Sequence, residues 1–375
     1  MSTSTLAPRR PWRQAMRYVL PFGALILAMI VRGTTGMPMM QREWVEFAVP
    51  AFSIVLLLPT VLVALRHAEI AATRLGEPFG TLLLTLAVTT IEVSIIVSIM
   101  LNGENNPTLA RESVFSVVMI ICTGGVGLCL TLGALRFREQ EHKPQGTNSY
   151  LAVLIALSVL SLILPNFTLT TSPGSFSAGQ LAFVSVLSVL LYSAFLYMQS
   201  VRHRGDFIDT LAAMAREASL QSSAPLWASI ACLLAGLTAV VLLAERVAAG
   251  AEAGLAAIGV QRPDAIIGAL IAALLLFPEL LSAVRASLKN QLQRSINVLM
   301  GSALATIGLT IPAVAVVCLI SGRELTLGLV ARDEVLLILA LTLSIVSFGT
   351  GRTNVLSGLV HLVVFFAYVL LLVIP

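Results

Sequence analysis

Long apolar runs alternate with short polar breaks along almost the whole chain. A run of roughly 20 apolar residues is enough for a helix to cross about 30 Å of hydrocarbon. Such runs centre on residues 18–31, 44–65, 79–101, 113–135, 150–164, 180–201, 225–247, 264–284, 296–320, 334–350 and 354–374, which predicts eleven spans, the first and fifth of them short. The expected fold is an all-α polytopic membrane protein.

Composition supports this pattern. Of 375 residues, 57% are hydrophobic and 11% charged. A soluble domain carries about 25% charged residues, because its surface must be solvated. The net charge of +4 does not point to nucleic acid, since the basic residues are not interleaved with aromatics along any groove-like stretch. Cys122, Cys129, Cys232 and Cys318 all fall inside apolar runs, where they read as small packing residues. Arg9, Arg10, Arg13 and Arg17 precede an apolar run that ends at Val31-Arg32-Gly33 without a small-x-small cleavage site. A retained first span is expected there.

Basic residues concentrate on the cytoplasmic side of membrane proteins. With the N-terminus inside, 16 of the 23 Lys and Arg residues fall in inside segments and 7 in outside segments. An N-in, C-out orientation and an odd number of spans follow.

The acidic residues are more informative. Only Glu92 and Glu279 lie deep inside apolar runs. Their surroundings correspond, because each span begins near a proline, in Gly76-Glu77-Pro78 and Arg262-Pro263-Asp264. Each is followed by a span that starts at a serine (Ser113, Ser295) and is rich in small residues. This predicts two five-helix repeats. An odd number of helices per repeat forces them into opposite orientations, a plan that places substrate near the membrane midplane between the halves. The expected organisation is residues 1–43 as N-terminus and extra first helix, 44–201 and 224–375 as the two repeats, and 202–223 as a cytoplasmic linker.

A carboxylate in hydrocarbon is costly, so one that persists faces a polar interior, a partner or an ion. On a helix, Thr81, Thr85, Thr89 and Glu92 fall within an arc of about 80°, a hydroxyl stripe ending at a carboxylate. Pro278 directly precedes Glu279 and withholds the N–H that would bond the carbonyl near Leu274, which is expected to break the helix there. Two carboxylates, hydroxyls and free carbonyls are hard oxygen ligands suited to Ca²⁺, whereas a transition metal would recruit His or Cys. Two close carboxylates cannot both ionise cheaply when empty, so the site is expected to hold either protons or one divalent cation. That competition is an exchange mechanism.

The residues that carry this pattern resemble a known family. Residues 67–81 (HAEIAATRLGEPFGT) with Ile91-Glu92-Val93 look like one motif of the ChaA-type calcium/proton antiporters, and Phe277-Pro278-Glu279 with residues 295–312 (SINVLMGSALATIGLTIP) look like the other. This group is the cation/proton exchanger branch of the calcium/cation antiporter superfamily, and the resemblance covers most of residues 44–375. It implies eleven spans with the first outside the repeat, and Glu92 and Glu279 as principal ligands and proton carriers. It also implies Ser302, Thr306 and Thr123 as supporting groups. The chain departs from the family at Thr123, where many members have Asn, and at 202–223, which lacks an acidic run.

The expected function is export of Ca²⁺ against inward H⁺ across a bacterial inner membrane, with lipid as the surrounding partner. Na⁺ or K⁺ as cargo is the nearest alternative, and a cation channel is an alternative of another class. No enzyme activity, resident cofactor or nucleic-acid partner is expected, and no phosphate-binding loop, G-x-S-x-G or H-E-x-x-H run is present. His361, inside the last span, is expected to be a buried histidine bonded to a hydroxyl.

Overall fold

The computed structural model describes residues 11–33, 42–75, 79–102, 106–207, 226–257 and 263–374. Among them, eleven helical rods account for nearly all of the chain. They are α1 (Pro11–Gly33), α2 (Arg42–Leu75), α3 (Phe79–Asn102), α4 (Leu109–Phe137), α5 (Pro144–Phe167) and α6 (Ala178–Arg202), followed by α7 (Leu226–Ala257), α8 (Pro263–Ser287), α9 (Leu292–Ser321), α10 (Ala331–Phe348) and α11 (Val355–Val373). Each expected apolar run overlaps one rod. By length and composition, eight carry stretches apolar enough to cross a membrane, counted over the described residues. In the other three, the apolar stretches are Tyr18–Ile30 in α1 and Leu86–Met100 in α3, while α10 opens on Arg332, Asp333 and Glu334.

Two helices exceed their expected runs. The α2 rod continues to Leu75 and α7 to Ala257, because the added residues are rich in alanine, the best helix former. Most of the expected linker 202–223 lies outside the described residues.

The packing is fixed by side-chain size. Without a hydrophobic driving force between helices in lipid, close approach depends on small residues. The α2 and α7 rods lie together where a Cβ on Gly236 would fall 2.9 Å from that of Ala64. With α1 they form one group of three. The apolar stretch of α4 is 94% buried, which makes it the axis of the remainder. Against it pack α8 and α11, while α3 and α6 pack on α9. Outside these contacts, Phe183 and Leu190 on α6, Val335 and Ile338 on α10, and Val363 and Phe366 on α11 face outward. Such an apolar exterior suits a lipid surround.

Both helix-breaking loops at each end are tied by polar groups. At one end Gln140 and Glu141 form a short antiparallel ladder with Thr353 and Arg352. Gln140 donates to the Ser287 carbonyl at 2.9 Å, and the Ser287 hydroxyl donates to the Cys129 carbonyl at 2.6 Å. At the other end Ser175 bridges to Thr326, and Arg111 donates to the Gly328 carbonyl at 2.7 Å. These bonds satisfy loop backbone that would otherwise be buried unpaired.

Both α4 and α9 are interrupted by a π-helical turn, Ile120–Gly125 in α4 and Thr306–Thr310 in α9. Such turns shift the hydrogen-bond frame and recur at functional sites.

Candidate cation site

The α3 helix carries Glu92 near its middle, and α8 carries Glu279. Glu92 is buried and Glu279 half-buried. Both line one small cavity, about 20 Å³ in volume, between α2, α3, α4, α8 and α9. Apolar walls come from Val61, Leu65, Val88, Ile91, Val117, Leu275 and Leu276, and further polar groups from Ser302 and Thr306.

The two carboxylates are held differently. Oε2 of Glu92 accepts hydrogen bonds from the Thr306 hydroxyl at 2.9 Å and the Thr310 hydroxyl at 3.1 Å. These threonines are the first and last residues of the π-turn in α9. Its other oxygen, Oε1, is buried with no hydrogen-bond partner among the described residues, and so is Oε2 of Glu279. A buried carboxylate oxygen without a partner is expensive unless a proton or a cation meets it. The two residues that carry such oxygens line one cavity.

Threonine and serine hydroxyls suit either occupant. A hydroxyl rotates, donating its proton to a carboxylate or turning its lone pairs to a cation. Among the described residues no three His, Cys, Asp or Glu side chains come together as a metal cluster. The available donors are oxygen atoms of two acids and their neighbouring hydroxyls.

The predicted site residues divide accordingly. Glu92, Glu279, Ser302 and Thr306 converge on the cavity. Thr89 is buried one turn before Glu92, with its hydroxyl unpartnered, but does not line the cavity wall. The side chains of Thr81 and Thr85 lie outside the described residues. Thr123 lies in the π-turn of α4 and its hydroxyl donates to its own helix, at the Met119 carbonyl. That bond engages its proton within its own helix, and Thr123 is not among the residues that line the cavity. Pro278 does not break α8, which remains helical from Pro263 to Ser287. What the proline removes is the single backbone bond to the Leu274 carbonyl, and packing on both sides keeps the rest in register.

Thr310 was not among the predicted ligands. The signal was its spacing of four residues from Thr306, which places both hydroxyls on one helix face. Its partner lies 218 residues away, so nothing local marks it.

Known proteins resemble this chain along nearly its whole length. A model of the sodium/calcium exchanger protein family matches residues 45–201 and 228–374. The chain is 44% identical over 360 residues to the y4hA protein of Sinorhizobium fredii, covering 96% of each. It is 34% identical over 357 residues to the sodium-potassium/proton antiporter ChaA of Escherichia coli, covering 94% of each. Among solved structures, the selenium-substituted Ca²⁺/H⁺ antiporter protein YfkE superposes with a TM-score of 0.70 at 17% identity, over 96% of this chain and 100% of that one, a likeness of fold. Matched in both segments by the family model and along nearly its whole length by a named antiporter, the chain belongs to the sodium/calcium exchanger protein family as a ChaA-type cation/proton exchanger.

Proposed function

We propose that the chain exchanges Ca²⁺ for H⁺ at Glu92 and Glu279, which are protonated and cation-bound in turn. The observation that carries this reading is the pair of partnerless carboxylate oxygens, one from α3 and one from α8, on two residues that line a single cavity. Two acids balance the charge of one divalent ion. Ser302 and Thr306 supply further hard oxygens of the kind that Ca²⁺ takes.

Protons moving inward displace the cation outward, because each carboxylate accepts only one of the two. In this reading all eleven helices span the inner membrane, with the N-terminus in the cytoplasm and the C-terminus outside. Residues 44–201 and 224–375 are inverted repeats joined by the 202–223 linker. The crossed pairing of α3 with α9 and α8 with α4 supports this, since each half then contributes to both walls of the site.

A second reading has a specific observation behind it. The E. coli relative is named for sodium, potassium and proton exchange. The same two acids would then hold one monovalent ion with one proton retained.

The deciding experiment is uptake of Ca²⁺, Na⁺ and K⁺ driven by a pH gradient in one proteoliposome preparation. Saturable Ca²⁺ uptake that collapses with the gradient is expected. Uptake of Na⁺ or K⁺ without Ca²⁺ would establish the second reading, and flux without any counter-ion dependence would overturn both.

A further inference from the structure

His361 in α11 is fully buried and is not part of the cation site, yet both of its nitrogens are engaged. Nδ1 lies 2.7 Å from the Cys122 carbonyl oxygen, and Nε2 lies 3.1 Å from the Ser347 hydroxyl on α10. A carbonyl only accepts, so Nδ1 carries the proton, and the Ser347 hydroxyl donates to the bare Nε2.

Cys122 sits inside the π-turn of α4. In an α-helix the amide of Val126 would bond the Cys122 carbonyl four residues back. Here that amide bonds the carbonyls of Ile121 and Thr123 instead. The imidazole occupies the carbonyl that this amide bypasses.

The same turn is clamped on both sides. A Cβ on Gly124 would lie 3.0 Å from the Phe365 ring, one turn after His361 on α11. On Gly125 it would lie 2.7 Å from Leu280 Cδ2, and Leu280 follows Glu279 on α8. Only glycine permits this approach, so the shape of the turn governs how closely α8 seats beside it.

The π-turn of α9 offers an internal comparison. Its Gly308 packs on Tyr192 of α6, where an added Cβ would lie 2.9 Å away. Four residues before Tyr192 stands Ser188, whose hydroxyl donates to Val184 of its own helix. Four residues before Phe365 stands His361, which reaches across to the other helix. The α9 turn is tied to its glutamate directly, through Thr306 and Thr310. The α4 turn has no such hydroxyl, since Thr123 bonds Met119, and it is held from behind by His361.

We infer that His361 is a positioning residue for Glu279: by pinning the Cys122 carbonyl it keeps the π-turn of α4 in the shape that seats the Glu279 carboxylate at the cavity. The inference rests on Glu279 being a cation ligand, as proposed above.

The test uses the full-length protein in proteoliposomes, with two readouts. One is the KM for Ca²⁺ against kcat. The other is the rate at which a hydrophobic carbodiimide modifies Glu279 and Glu92, followed separately by mass spectrometry. Loss of one buried hydrogen bond in His361→Leu is expected to raise KM roughly fivefold, with a smaller change in kcat. Carbodiimide modification of Glu279 should shift several-fold while that of Glu92 stays unchanged, because Glu92 is held from α9. His361→Asn sets an amide N–H near the place of Nδ1 and should restore both values. An unchanged KM and unchanged Glu279 labelling in His361→Leu would overturn the inference, as would equal shifts at both glutamates. If His361→Leu does not fold, His361→Asn is set against His361→Gln, whose amide sits nearer Nε2. Asn like wild type with Gln impaired supports the role, and any other order overturns it. Retained exchange in Glu279→Gln would instead bring down the cation-site reading, while the labelling of Glu279 in the His361 variants still reports its position.

Discussion

The Thr310 hydroxyl on α9 lies 3.1 Å from Oε2 of Glu92 on α3, across 218 residues of sequence. It does not line the cavity, whereas Thr306, which shares the same oxygen, does. Thr310 therefore orients the acid, and Thr306 both orients it and faces the cavity. Replacing either by Val removes the hydroxyl at constant shape. Thr310→Val is expected to raise the KM for the cation by about tenfold, and Thr306→Val more, since hydrogen bonds to charged groups are worth about 1.5–3 kcal/mol. Initial uptake rates across a range of cation concentrations measure both.

Glu92→Gln and Glu279→Gln should each reduce gradient-driven exchange to the level of empty vesicles. The amide keeps the shape of the side chain but neither accepts a proton nor carries charge at the operating pH. The check is Ca²⁺ uptake in everted vesicles at matched protein amounts. Exchange of normal size in either variant would remove that residue from the mechanism.

Gly125→Ala probes the contact between the α4 turn and α8. The new Cβ would meet Leu280 Cδ2 at 2.7 Å and Leu299 Cδ2 at 3.1 Å, both ends of side chains rather than backbone. The protein should fold, with Leu280 displaced and Glu279 carried with it. A few-fold rise in KM is expected, with a loss of stability of about 1–3 kcal/mol from overpacking. Thermal unfolding in detergent and uptake kinetics separate the two effects.

His142, in the segment between α4 and α5, should make the protein sensitive to acid. Its Nε2 bonds the Phe348 carbonyl at 3.2 Å, and its ring packs edge-on against Phe348. Burial holds its pKa below the ordinary 6.5, while the bond to Phe348 opposes the shift. The unfolded chain therefore takes up a proton at a pH where the folded protein does not. Stability from this group is complete above its unfolded value and drains as pH falls toward the folded one. Melting temperatures of wild type and His142→Gln at pH values from about 7.5 to about 5.5 test this, the variant showing the shallower decline.

Much of this protein was legible in its amino acids. The helices follow from runs of apolar residues, which need no knowledge of their neighbours. Glu92 and Glu279 stood out because ionisable groups inside such runs are costly. Ser302 and Thr306 came from the resemblance and do line the cavity. Thr123 was expected beside the acids, whereas its hydroxyl donates to the carbonyl one turn back and it does not line the cavity. Pro278 was expected to break its helix, but neighbouring helices hold α8 together through the one missing bond. His361 was expected to meet a hydroxyl, and Ser347 is that hydroxyl. Its second bond, to Cys122, depends on a turn that residue pattern does not announce.

The sequence by itself determined the environment of the chain, the course of its helices and the two acids that line the cavity. These follow from hydrophobicity and backbone geometry, which act over one or two helical turns. The tertiary structure alone decided which hydroxyl meets which carboxylate, which acid oxygens lack a partner among the described residues, and where the helices shift into π-turns. Those outcomes depend on contacts between residues more than two hundred positions apart, set by how closely glycine and alanine let the helices approach.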